Sequence, residues 1–154
     1  MTRRKEIKMK RVVNEMKLRL PAISVNEAVC RAVISAFMAE LDPTVEELGD
    51  VRCATSEAVT NAIVHAYKNR EDKYKCFVYI SVRLYNTREI SIEISDTGCG
   101  IEDVELARTP AYTTGTDERS GMGFLVMESF ADEVKVKSRL GRGTTVLLKK
   151  KLKP

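Results

Sequence analysis

The chain of 154 residues has no tryptophan, one histidine, four prolines and only 6% aromatic residues. With a single histidine and no C-x-x-C pair, a zinc site is not expected. The four cysteines, Cys30, Cys53, Cys76 and Cys99, are spaced by 23 residues, but their flanks do not repeat. They read as reduced thiols rather than a disulfide framework. No apolar run approaches the roughly 18 residues that cross a bilayer, and the N-terminus lacks the apolar middle of a secretory signal. A cytoplasmic protein without a membrane partner is therefore expected. At 44% hydrophobic content the chain can bury one complete core and is too short for two ordinary domains.

The formal charge of +4 is unevenly placed. Residues 1–20 hold eight Lys/Arg against two acids, and the remainder holds 18 against 20. Basicity thus belongs to the terminus, and residues 1–13 are expected to form a basic arm outside a single domain spanning 14–154. Such an arm reads as a solubilising tail or as a contact for an acidic surface. No DNA-reading domain accompanies it, so no direct nucleic-acid role is expected.

Hydrophobic period divides the rest. Residues 16–22 alternate apolar and polar up to Pro21, as an edge strand does. Ser24 with Glu27 reads as a helix cap, and Ala28, Val29, Ala32, Val33, Ala36 and Phe37 follow at helical spacing. Arg31 lies on the polar side of that helix. A second helix opens at Pro43-Thr44 and is expected to run to about Asn69. Residues 76–85 and 89–95, rich in β-branched and aromatic residues, read as an antiparallel hairpin across Asn86-Thr-Arg88. Residues 101–120 show no sustained period, and excursions of that length usually carry function. A short helix is expected from Ser120 to about Phe130, then a second hairpin, 134–138 with 144–151.

The second helix carries Glu57-Ala-Val-Thr-Asn61-Ala-Ile-Val-His65. At about 100° per residue, Glu57, Asn61 and His65 share one face, beside an apolar face of Leu48, Val51, Ala58, Ala62 and Ala66. A carboxylate and an amide one turn apart can polarise a hydroxyl and give one oxygen to magnesium, which takes few protein ligands. Alone, the same spacing also describes a solvated stripe. Asp96-x-Gly98-x-Gly100 reads as a strand-ending turn or as a place where backbone meets a ligand and Asp96 accepts from an exocyclic amine. Gly121-Met122-Gly123 reads as a helix entry or as bared amides for phosphate. Gly141-Arg-Gly143-Thr144 is individually a common hairpin turn.

Taken in order, Glu57-x-x-x-Asn61, Asp96-x-Gly98-x-Gly100, Gly121-Met-Gly123-Phe124 and Gly143-Thr144 resemble the N, G1, G2 and G3 boxes of the GHKL ATPases. Ser56 to His65, Glu118 to Phe124 and Met127 to Val134 are most similar to the anti-sigma serine kinases within that superfamily. The resemblance covers about residues 14–150. It implies an α+β two-layer sandwich of the Bergerat type, with a mixed, mostly antiparallel sheet covered by helices on one face. ATP or ADP with Mg2+ would bind between the helical layer and a lid at about 101–120. Glu57 would be the general base, Asn61 the magnesium ligand and Asp96 the adenine reader, helped by Thr144 through water. Gly98 and Gly100 would admit the base. Gly121 and Gly123 would bring amides to the phosphates, with Met122, Phe124 and the lid pair Thr113 and Thr114 around the nucleotide. Arg119 would lie near the γ-phosphate and the partner, and Arg31 would match a surface arginine used by both protein partners.

The implied function is an anti-sigma factor that holds a sporulation sigma factor of the sigma F type. It would also phosphorylate a serine of its anti-anti-sigma antagonist, acting as a homodimer. Two alternatives stay open. One is the general-stress, sigma B type branch; the other is a nucleotide-gated sigma-binding module with little kinase activity. The second rests on a departure from the family pattern, Gly115 standing where a lid lysine often follows the paired threonines.

Overall fold

Alternating side chains build the framework of the computed structural model, which describes residues 9–109 and 123–154. Five strands, β1 (Val12–Pro21), β2 (Phe77–Tyr85), β3 (Glu89–Asp96), β4 (Glu133–Arg139) and β5 (Gly143–Lys151), form one sheet in the order β1-β2-β3-β5-β4. Every pairing among the described residues is antiparallel. Because the side-chain period is two, register places like with like. Leu18, Ile80, Ile94, Val146 and Val136 form one continuous apolar row across all five strands, and Met16, Val82, Ile92, Leu148 and Val134 form the next. The opposite face carries rows such as Lys17, Ser81, Glu93, Leu147 and Lys135.

Helices cover the apolar rows. Helix α1 (Val25–Met38) buries Cys30, Ile34 and Met38, and α2 (Val45–Thr60) buries Val51, Ala54, Thr55, Ala58 and Val59. A one-turn α3 (Val104–Ala107) and α4 (Gly123–Phe130) complete the layer, α4 contributing Phe124 and Met127 to the core. This is the two-layer α+β arrangement that the motifs imply, in a sheet with no parallel pair among the described residues.

Several boundaries differ from the sequence expectation, each for a local reason. Strand β1 begins at Val12 rather than 16, since its early residues pair with Leu84 and Tyr85 even though they alternate poorly. Ser24 is not a cap: its backbone is already helical and its side chain caps nothing. At α2 the cap is complete. Thr44 Oγ1 accepts from Glu47 N at 3.1 Å and Glu47 Oε2 accepts from Thr44 N at 2.9 Å, a reciprocal box of the kind that stabilises a helix by about 1 kcal/mol. Buried Glu47 also accepts from Lys153 N at 2.8 Å, tying the last strand's exit to this helix.

Helix α2 does not continue regularly to Asn69. At Asn61–Ala66 it widens into a π-helical turn, and it stops because the Ala66 carbonyl accepts from Cys99 N, 2.8 Å away on another segment. Single π turns concentrate at functional sites, and this one begins on the motif asparagine. The expected structureless excursion after residue 100 starts with α3, capped by Asp103 and pinned by Arg108, which pairs with Glu128 of α4.

Candidate functional site

Between α2 with its π turn, the end of β3 and α3 lies a cavity of about 790 Å3, a size suited to a cofactor. Asn61, His65, Asp96, Gly100, Phe124 and Thr144 are among its lining residues. One end is made by backbone. Strand period puts Asp96 on the helix-facing side of β3, one step beyond the apolar Ile94. Its Oδ1 accepts from Gly98 N at 2.9 Å and Thr144 N at 3.2 Å. Burial pushes the carboxyl above its usual range, and those two N–H donors pull it partly back.

Glycine is required here by the protein itself. A Cβ on Gly98 would stand 2.1 Å from the Ala66 carbonyl oxygen, and one on Gly143 would stand 2.1 Å from the Asp96 carbonyl oxygen. Gly143 also has φ +111°, which L side chains rarely adopt. Gly98 therefore wedges the turn after β3 against the end of the π turn, and Gly143 wedges β5 against that same turn. Cys99 fits the gap as a small residue, its thiol 3.5 Å from the carbonyls of His65 and Gly100.

At the other end side-chain tips converge. An ideal Cβ on Gly123, at the start of α4, would lie 3.3 Å and 3.4 Å from Asn61 Nδ2 and Oδ1 and 3.5 Å from Glu57 Oε2. The carboxylate, the amide and the first residue of α4 thus meet, across 66 positions of sequence. The arrangement offers a base and a hard oxygen donor at a helix start, with Phe124 buried beside them.

Of the other residues singled out in the sequence, Arg31 sits on α1 away from the cavity and pairs with Glu27 at 3.4 Å. Thr113, Thr114, Gly115, Arg119, Ser120, Gly121 and Met122 lie outside the described residues. Two participants escape sequence reasoning. Buried Tyr67 gives its hydroxyl to Phe77 O at 2.6 Å and takes Thr97 N–H at 2.9 Å, stitching the turn after Asp96 to the helix end. Lys68 lines the cavity. Helical spacing marks neither, because both follow the point where the regular helix has ended.

Comparison with known proteins agrees with this geometry. Residues 20–150 match the family model of the histidine kinase-like ATPase domain. The chain is 49% identical over 139 residues to an anti-sigma F factor of Clostridium acetobutylicum, covering 90% of this chain and 94% of that protein. It is 46% identical over 140 residues to an anti-sigma F factor of Priestia megaterium, covering 90% and 93%. Among solved structures, the RsbU and RsbW domains of Rv1364c from Mycobacterium tuberculosis superpose with a TM-score of 0.67 at 20% identity, over 92% of this chain and 33% of that one. The SiaB–SiaC complex from Pseudomonas aeruginosa gives 0.68 at 10% identity, over 90% and 89%. These two share the fold. With near-half identity across nine-tenths of both sequences, the chain belongs to the anti-sigma F factor family, within the nucleotide-binding histidine kinase-like ATPase domains.

Proposed function

We propose that this chain is an ATP-dependent protein serine kinase that also sequesters a sigma factor of the sigma F type and phosphorylates that factor's antagonist. The observation that carries the reading is the meeting of Glu57, Asn61 and Gly123 at one end of a cavity whose other end holds Asp96. Asp96 would accept from the adenine amine, with Thr144 beside it. The N–H groups at the start of α4 would face the phosphates. Phosphoryl transfer asks mainly for such positioning and charge neutralisation.

Magnesium fits the donors present. Among the described residues no group of three or more His, Cys, Asp or Glu could hold a metal. A cation here would take one oxygen from Asn61 and the rest from water and phosphate, the habit of magnesium. When bound it would neutralise phosphate charge. In the transfer, the substrate serine Oγ bonds to the γ-phosphorus as the bond to the β,γ-bridging oxygen breaks. ADP leaves with that oxygen, and the hydroxyl proton passes to the Glu57 carboxylate.

Arg31 and Arg119 are the proposed partner contacts. A homodimer is proposed through β1 and α1, where Val12, Val13, Val25 and Val29 are exposed on an unpaired edge and its neighbouring helix. Among the described residues no helix is long and apolar enough to cross a membrane, in keeping with a proposed cytoplasmic location.

Labelled γ-phosphate transfer from ATP to a purified anti-anti-sigma protein tests the reading. Wild type should label serine, and Glu57→Ala should lose about 10²- to 10⁴-fold in rate with ADP affinity kept. Undiminished transfer by Glu57→Ala would remove it as the base. Sigma binding without any transfer by wild type would favour the nucleotide-gated binding module, and tighter binding of a general-stress sigma factor would favour that branch.

A further inference from the structure

The helix-facing rows of the sheet stay apolar until they reach the cavity. One step beyond Ile94, Val146 and Val136 the row becomes Asp96, Thr144 and Ser138. Ser138 stands opposite Thr144 in the β4–β5 ladder, and Thr144 N donates to Asp96 Oδ1 at 3.2 Å. Val134 and Val136 precede Ser138 on the same face of β4, so strand pattern alone calls for another apolar residue here. The hydroxyl found instead has three neighbours. Ser138 Oγ accepts from Ile101 N at 2.7 Å and lies 3.1 Å from Gly143 O and 2.8 Å from Thr144 Oγ1. Thr144, Asp96 and Ile101 all line the cavity.

A hydroxyl has one hydrogen to give. If Ser138 gives it to Gly143 O, Thr144 bonds to Ser138 with its own hydrogen and shows the cavity only lone pairs. If Ser138 gives it to Thr144 Oγ1, the Thr144 hydrogen is released and the cavity meets a donor. Ser138 therefore sets the polarity of the hydroxyl beside Asp96. In adenine the amine is flanked by ring nitrogens N1 and N7, both acceptors, so either edge calls for a donor next to the group that takes the amine. We infer that Ser138 is a positioning residue for the nucleobase: its hydroxyl donates to Thr144 Oγ1, and Thr144 donates to the ring nitrogen beside the adenine amine, directly or through a water. This rests on reading the cavity as a nucleotide site with Asp96 at the amine. Position does not depend on the Ser138 hydroxyl alone, because Gly141 N donates to Cys99 O at 2.7 Å and holds the hairpin turn against the segment after Asp96.

The test is calorimetric titration of wild type, Ser138→Ala and Ser138→Thr with ADP, 1-deaza-ADP and 7-deaza-ADP, in which CH replaces one ring nitrogen or the other. Wild type should bind one analogue about tenfold more weakly than ADP, which identifies the nitrogen that faces Thr144. Ser138→Ala should weaken ADP by a similar factor and leave the affinity for that analogue unchanged, since the contact it supports is already missing. Ser138→Thr keeps the hydroxyl and should bind all three as wild type does. Equal loss by Ser138→Ala for ADP and both analogues would make Ser138 a structural residue, and no loss for ADP would leave it outside recognition. Either overturns the inference, as would a wild type indifferent to both nitrogens. Should Ser138→Ala not fold, Ser138→Cys, a weak donor of similar shape, takes its place in the same comparison. Failure of wild type to bind ADP at all would remove the nucleotide reading itself, and is distinguished by occurring before any substitution.

Discussion

The two ends of the cavity are built from different material. At the Asp96 end, main chain meets main chain: the Gly98 turn lies on Ala66, Gly143 on Asp96, and Tyr67 bolts the turn to β2. At the Glu57 end, two side-chain tips meet one glycine with room of 3.3 Å or more. The first end gains position from rigidity that is also part of the core. The second can be altered without touching the fold, as chemistry that depends on small displacements requires. Substitutions at the first should therefore appear as lost stability, and at the second as lost turnover.

Glycine replacement gives the widest separation. Gly98→Ala and Gly143→Ala each drive a methyl to 2.1 Å from a carbonyl oxygen, and Gly143→Ala adds backbone strain. Each should lose about 3 kcal/mol or more by denaturant titration, or fail to fold. Gly123→Ala meets only ordinary to tight contacts at 3.3–3.5 Å. It should change stability by less than about 1 kcal/mol while pushing on Asn61 and Glu57 and lowering phosphate transfer. Similar stability losses for all three would erase the contrast between the ends.

Tyr67→Phe probes the same contrast one step down. The hydroxyl satisfies both a carbonyl and an N–H within the protein, and its removal leaves two buried groups short of partners. A loss of about 1–3 kcal/mol is expected. Because Thr97 directly follows Asp96, ADP affinity should fall severalfold as the turn loosens, with the transfer rate at saturating ATP kept. A fall in saturated rate with unchanged affinity would place Tyr67 at the wrong end.

Much of this was legible before any coordinates. Alternation located the first strand, runs of β-branched and aromatic residues across short links located the two hairpins, and register then carried Asp96 to the helix side. The E-x-x-x-N pair was legible because helical spacing is local. What was hidden depends on distant backbone. Nothing near Ala66 announces that Cys99 will take its carbonyl, so the helix was drawn three residues too long and Tyr67 and Lys68 passed unnoticed. Gly98 reads in the sequence as a turn or a place where backbone meets a ligand, and Gly143 as part of a hairpin turn; the atoms that approach both are carbonyl oxygens of the same chain. Ser24 looked like a cap only because its neighbours suit one; its backbone angles decide otherwise.

Asp96→Asn should give the smallest change in stability and the clearest change in binding. Burial raises the Asp96 carboxyl above its usual value, so the folded chain holds that proton more firmly than the unfolded chain does. Its favourable contribution is complete below the ordinary carboxylate value and is lost as pH rises through the raised folded value. At neutral pH the ionised group is therefore a net cost. Asparagine keeps an oxygen for the N–H groups of Gly98 and Thr144 and removes the buried charge. The variant should be slightly more stable than wild type at pH 7, with the difference closing as pH falls below the carboxylate range. With that oxygen so engaged, the amide nitrogen would, on the proposed role of Asp96, face the adenine amine donor to donor, so ATP affinity should drop at least about tenfold. Melting curves across pH, set beside nucleotide titration, check both halves. A variant that gains stability and still binds ATP would make Asp96 a turn residue alone, and the rigid end of the cavity would then be scaffold without recognition.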